Sequence, residues 1–255
     1  MKTLGIRVAV IAALSVFVGT SGGAALRAHD ASDWLRVNVV KVVPERFEDY
    51  IELQLTEVTP ALQEAGVPWR SVWRTAEFGN SYELQFVQPV GDLADYDAGG
   101  PLARVMQPDR LQRLVDRLRR YTVSRQSYAV RYRAELGVES DDVASLFLAR
   151  VSTLGVAPGR VGEWTAFLER NLKQFRGAGV VFGVYQRMLG PTPTAWQVVE
   201  NHESFAELAQ PSIIVRAFGE QADSVASELS GVVLSVQRSV LRYDPELSYS
   251  SIPST

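Results

Sequence analysis

The sequence predicts an α+β fold in which a β-α-β-β-α-β unit occurs twice in one chain. Two observations carry this. The stretch RYRAELG at Arg131–Gly137 returns as RYDPELS at Arg242–Ser248, 111 positions later. The strand and helix patterns that precede each stretch also run in the same order, with an offset that drifts only from about 114 to 111.

The first unit spans residues 33–136. WLRVNVVKVV, from Trp34, is rich in β-branched residues and reads as a strand. Pro44 then opens a helix, because its missing N–H would lack a partner there anyway. Phe47, Ile51, Val58 and Leu62 recur at helical spacing, and Gly66 stops the helix. Pro60 predicts a kink or an early end. VPWRSVWRT and SYELQFVQ read as two strands joined by a turn at Gly79–Asn80. After the Gly99–Gly100 loop, PDRLQRLVDRLRRY forms a second helix on a Leu111, Leu114, Val115, Leu118 stripe. SRQSYAVRYR is the fourth strand.

Residues 137–143 read as a linker, and the second unit spans 144–247. LFLARVST is a strand, and PGRVGEWTAFLERNLKQFRGAG a helix with Val161, Trp164, Leu168, Leu172 and Phe175 on one stripe. VVFGVYQRML and TAWQVVEN form a strand pair around the turn GPTP. The segment from Glu203 to Gly231 reads as mostly helix, and VVLSVQRSVLRY as the last strand. The tail, 248–255, reads as disordered. Residue by residue, the alignment sets Trp73 on Gln186, Arg74 on Arg187, and Tyr132 on Tyr243.

The first 25 residues read as a secretory signal peptide. Lys2 and Arg7 form a basic start, VAVIAALSVFVG an apolar run too short to span a bilayer, and small residues follow up to Ala25. The expected location is therefore periplasmic or extracellular, with no stable membrane span after cleavage. Loss of Lys2 and Arg7 takes the net charge from −3 to −5, which disfavours nucleic acid as a partner. There is no cysteine, so disulfides, thiolate metal sites and cysteine nucleophiles are excluded.

A four-stranded sheet with helices on one face leaves its other face to be buried. Two such sheets can cover each other. The arrangement resembles the dimeric α+β barrel superfamily of ferredoxin-like units, which includes the antibiotic-biosynthesis monooxygenase, EthD-like and NIPSNAP-like families. Here both units would form a pseudo-dimer within one chain. The resemblance covers residues 33–247 and rests on element order and duplication rather than on a signature motif. It implies cofactor-free oxygenase relatives that hold aromatic substrates between sheet and helix, using Trp, Tyr, Asn and Arg side chains. Asn38, Trp73, Arg74, Tyr185 and Arg187 are strand residues of those types. It also implies haem-using relatives that take a ligand His from a helix, and neither second helix here contains one.

Alternation sends Leu84 and Phe86 toward the helices and Glu83 and Gln85 into the barrel; Gln197 follows the same rule in the second unit. Arg131 and Arg242 alternate with Tyr132 and Tyr243, and are expected to line the barrel with these polar groups. His202, one of two histidines, reads as a loop residue. There is no serine-elbow, P-loop or dinucleotide motif. No catalytic residue, metal or cofactor is assigned. Three functional readings stay open: an exported module binding a small apolar or aromatic molecule in an internal pocket, a cofactor-independent monooxygenase or isomerase, and a non-catalytic structural or interaction protein. Further homo-oligomerisation is compatible with each.

Overall fold

A computed structural model describes residues 34–139, 147–192 and 194–251. The expected signal peptide, residues 140–143 of the linker and the last four residues lie outside them.

In the N-terminal half, β1 (Trp34–Val42) leads through a 3-10 turn at Pro44–Arg46 into α1 (Phe47–Leu53). A π-helical segment, Gln54–Val58, joins α1 to α2 (Thr59–Glu64). It stands where Pro60 predicts a kink. Proline has no N–H to give the Thr56 carbonyl and its ring crowds that carbonyl, so the preceding turn widens instead of breaking. Gly66, at φ 75°, ends the helix, and the Val67 N–H closes it on the Leu62 carbonyl at 3.0 Å. Then follow β2 (Trp69–Thr75), β3 (Glu83–Pro89), a short α3 (Pro101–Val105), α4 (Pro108–Tyr121) and β4 (Thr122–Tyr132).

The C-terminal half repeats the order with β5 (Leu148–Val156), α5 (Val161–Gly177), β6 (Gly183–Leu189) and β7 (Ala195–His202). The helix expected over 203–231 is instead three short ones, α6 (Phe205–Leu208), α7 (Ile213–Phe218) and α8 (Ala222–Glu228), before β8 (Val233–Tyr243). Pro211 ends the first, and Gly219 at φ 53° breaks the next. Ser204 and Ser212 cap α6 and α7 by accepting backbone N–H bonds.

Each half forms a four-stranded antiparallel sheet, ordered β4-β1-β3-β2 and β8-β5-β7-β6. Ladders β4–β6 and β2–β8 join the sheets, closing an eight-stranded barrel. Helices cover the outside. The barrel interior is packed with side chains from both halves, among them Leu35, Val37, Trp69, Tyr128, Tyr185 and Val199. Trp73, Val151, Leu241 and Tyr243 continue that core.

The ladders correct the sequence alignment. Trp73 faces Gln85 and Tyr243, whereas Tyr185 faces Gln197 and Tyr132. Trp73 therefore corresponds to Tyr185, and Arg74 to Gln186, not to Arg187. The first half holds one more residue between Val67 and Val72 than the second holds between Val180 and Val184. The same ladders place Tyr132 and Tyr243 in the barrel and Arg131 and Arg242 outside it, opposite to expectation. Two rings that pack on the interior aromatics Tyr185 and Trp73 settle the alternation.

The repeated motif is a pair of reciprocal arms. After β4 the chain crosses to the other half, where Leu136 is fully buried in the C-terminal helix–sheet core and Val138 bridges to Phe182. After β8 the second arm crosses back. Leu247 enters the N-terminal helix–sheet core, and β9 (Tyr249–Ser250) pairs with Trp69 and Arg70 of β2. Residues 248–251 are thus not a disordered tail: the Ser248 hydroxyl accepts the Val72 N–H at 2.9 Å, and the Ser251 N–H donates to the Pro68 carbonyl at 2.8 Å. Each fully buried leucine contributes about 1.5–3 kcal/mol of burial energy to the half it did not come from.

Candidate functional site

The ten residues singled out from sequence divide into two groups. Trp73, Glu83, Gln85, Tyr185, Arg187 and Gln197 alternate into the barrel. There three of them meet neighbouring side chains, while Arg187 Nε is buried without a hydrogen-bond partner among the described residues. The Gln197 amide donates to the Tyr128 hydroxyl at 3.1 Å, Arg187 stacks on the Tyr128 ring at 3.9 Å, and the Trp73 indole donates to Ser71 at 2.8 Å. Asn38, Arg74, Arg131 and Arg242 lie on the outer faces. Asn38 is buried and accepts the Ser127 hydroxyl at 2.5 Å. Arg74 pairs with Asp244, and Arg242 lies 3.5 Å from Glu77. The ten do not form one site.

A different constellation lies under α1 and the π segment. On the outer face of the N-terminal sheet, one row runs from Arg36 on β1 to Gln88 on β3, Arg70 on β2 and Tyr249 on β9. Arg70 is 5% exposed. Its Nη2 donates to Gln54 Oε1 at 2.8 Å, its Nη1 lies 3.4 Å from Thr59 Oγ1, and its guanidinium carbon sits 4.2 Å above the Phe86 ring. Gln54, itself buried, opens the π segment, so the widened turn is what presents this acceptor to Arg70. Arg36 stacks near the Tyr96 ring at 5.3 Å.

Neither arginine has a carboxylate partner among the described residues. Burial pulls the Arg70 guanidinium down to about 10, so it stays charged at neutral pH. Burial pushes the Tyr50 and Tyr249 phenols up to about 12, so neither supplies a compensating negative charge. Arg70 Nε and the hydroxyls of Tyr96 and Tyr249 are buried without a hydrogen-bond partner among the described residues. An uncompensated buried cation costs several kcal/mol, and orphaned donors add to that.

The C-terminal half shows that the fold itself does not require this cost. The matching row reads Arg150, Glu200, Phe182 and Val138. Glu200 accepts two bonds from Arg150, at 3.0 and 2.6 Å, and a third from Arg216 at 3.0 Å. Where Arg70 stands in one half, Phe182 stands in the other, buried against Phe175 with ring centres 5.1 Å apart. Gln88 stands where Glu200 stands and Arg70 where Phe182 stands, so the N-terminal row has a second cation and no acid.

Arg70, Gln54, Gln88 and Tyr249 escaped the sequence reading. The one-residue slip between Val67 and Val72 hid Arg70, which aligned with Gly183 instead of Phe182. Tyr249 sat in a stretch read as tail.

His202, read as a loop residue, ends β7 with its ring buried. Both ring nitrogens lack a hydrogen bond among the described residues, and Nδ1 lies 3.9 Å from Glu207. Burial first, then the neighbouring Arg150, lowers its pKa. Among the described residues, no three His, Cys, Asp or Glu side chains converge to hold a metal, and no helix is long and apolar enough to cross a membrane.

The barrel and its outer helices define the class: a dimeric α+β barrel fold of ferredoxin-like units. Solved structures of that fold match most of the chain. One is an anthrone oxidase-like protein, 14% identical, with 89% of this chain and 97% of that one covered and a TM-score of 0.56. Another is a proposed monooxygenase from Lactobacillus acidophilus, 8% identical, covering 86% and 96%, with a TM-score of 0.55. A chlorite dismutase variant from Candidatus Nitrospira defluvii is 9% identical, covering 88% and 96%, with a TM-score of 0.50. At these identities the likeness is one of fold. No protein-family model and no curated protein matches the chain.

Proposed function

We propose that this chain is an exported protein that binds a small, largely apolar molecule carrying one acidic group, seated between sheet and helix in the N-terminal half. The observation that carries this reading is Arg70, a buried cation with no acid beside it, in a place where the other half is apolar. A carboxylate, phenolate or enolate would complete the charge and take up the free Nε–H. Phe86, Tyr50 and the apolar face of the helix would hold the rest of the molecule. The two halves are read as a duplicated unit in which only the first retains a site; the matched strand registers and the matched arms support that. The N-terminal pattern of residues 1–25 supports export.

A second reading, a cofactor-independent oxygenase, draws on the same cation and on the oxygenase names among proteins of this fold. Such chemistry needs the substrate as its anion: an acidic ring methylene loses a proton, the carbanion reacts with O2, and the product is a ketone plus one water. Arg70 would stabilise the anion that precedes the oxygen step.

Native mass spectrometry of the protein from its own host tests the first reading. A defined adduct in the wild type that is absent from Arg70→Met supports it. An adduct retained by Arg70→Met, or no adduct and no uptake of any anionic aromatic probe, overturns it. Oxygen consumption with an anthrone-type probe then separates the oxygenase from the binding protein.

A further inference from the structure

The inward side chains of the barrel differ by level. Val37, Tyr128, Val151, Tyr185 and Leu241 form a buried layer. Toward the end where β1 and β5 finish, burial falls away. Val39, Thr153, Ser239 and Arg187 are half-buried there, and Lys41, Gln126 and Gln237 are exposed. At Val39 and Thr153 the strand is paired on both sides. Water therefore reaches these side chains through the end that the short β4–β6 and β2–β8 ladders leave open. An eight-stranded barrel has room for its own side chains or for one small ligand. This one is packed at one end and forms a funnel at the other.

Both halves line the funnel alike. Val39 stands between Gln85 and Gln126, and Thr153 stands between Gln197 and Gln237. Equivalent positions of the two ladders thus hold a glutamine four times. The outer faces of the same sheets have diverged, with Arg70 where Phe182 stands and Gln88 where Glu200 stands. Solvating an open barrel end requires only polar groups of any kind. At the mouth itself the halves do differ in that way: Lys41 and Glu83 face each other in the first, Gly155 and Ala195 in the second. The repeated glutamines are a narrower choice. Among the described residues the side chains of Gln85, Gln126 and Gln237 make no hydrogen bond. Arg187 Nε, on the same wall as Gln197, is buried and unpartnered. Gly155 leaves the second half's wall bare, since a Cβ there would lie 2.5 Å from Ser235 Oγ.

We propose that this funnel is a second binding site, formed by both halves together, for a neutral polyhydroxylated molecule about the size of a single sugar ring. A carboxamide or a hydroxyl both donates and accepts hydrogen bonds, as each hydroxyl of a sugar does. Val39, Val87 and Val199, half-buried on the walls, offer apolar surface to its C–H faces. Glu83 opposes Lys41 and Arg187 near the mouth, so the charges there favour neither an anion nor a cation. The funnel lies on the opposite face of the sheet from Arg70 and stands apart from the acid-binding pocket.

Solution NMR of the isotope-labelled mature chain tests it, read from the side-chain amide signals of glutamine, with glucose, galactose, ribose and inositol as probes. Saturable shifts of Gln85, Gln126, Gln197 and Gln237 with at least one probe are expected. The double variant Gln126→Ala, Gln237→Ala removes two exposed side chains that bond nothing in the protein. Its melting temperature should hold, and its affinity for that probe should fall roughly 10-fold or more. Arg70→Met should bind the probe as the wild type does, which separates this site from the acid-binding one. No response to any probe, equal affinity in the double variant, or a response to the zwitterion glycine alone overturns the proposal.

Discussion

Arg74 Nε lies 2.5 Å from Asp244 Oδ2, tying the second strand of one half to the arm that leaves the other. The matching pair is Gln186 and Arg133, with Arg133 Nη1 donating to Gln186 Oε1 at 2.7 Å. The two arms thus make the same contact with donor and acceptor exchanged. Asp244 is buried, and its other oxygen accepts the N–H groups of Glu246 and Leu247. Asp244→Ala should cost about 2–4 kcal/mol, since it strips one partner from Arg74 and two from the turn that aims Leu247. Urea denaturation measures it; a loss below about 0.5 kcal/mol, the range of ordinary surface changes, would show that the arm is held by packing alone.

Leu136→Ala and Leu247→Ala should each cost about 2–5 kcal/mol, because each leaves a cavity in a closed core. Each residue is buried in the half that did not supply it. A single unfolding transition that shifts equally by calorimetry and by fluorescence is therefore expected for both. Two separate transitions, with only one moving, would mean that the halves unfold independently.

Arg70→Met should leave the melting temperature unchanged or raise it. Replacing an uncompensated buried charge with an apolar chain of similar length removes a desolvation cost. The same change should weaken an anionic ligand by roughly 10- to 100-fold, the worth of one charge-assisted hydrogen bond. A variant that loses both stability and binding would mark Arg70 as structural.

His202 gives a pH dependence with a defined sign. Its folded pKa is lowered, chiefly by burial, so the unfolded chain takes up this proton first as pH falls. The stability it contributes is complete above the ordinary histidine value of about 6.5 and is lost as pH falls from there through the folded value. The groups facing it are Arg150, Glu200, Glu207 and Arg216. His202→Asn should flatten the urea midpoint across that acid window. A slope equal to the wild type would place the titration elsewhere.

The strands and helices were legible because alternation and helical spacing report burial directly, and Pro44 and Gly66 mark the ends of the first helix. The partition of Leu84, Phe86, Trp196 and Val198 to the helix side followed from the same alternation. The Arg131 and Arg242 faces did not. Alternation fixes which residues share a face but not which face is inside, and aromatic neighbours served either. The site was hidden for two reasons. One extra residue near Arg70 inverts the pattern locally, and an arm arriving from far along the chain has no periodicity of its own. Tyr249 is polar in sequence and structural only because Trp69 and Arg70 offer it a strand edge.

The reciprocal arms also set an order of events during synthesis. Leu247 completes a core whose other members, such as Val40 and Val72, are made some two hundred residues earlier. The first half therefore lacks one buried member of its helix–sheet core until the arm after β8 has been made. Contacts this far apart in sequence form late, so the two halves reach their native packing together rather than one after the other.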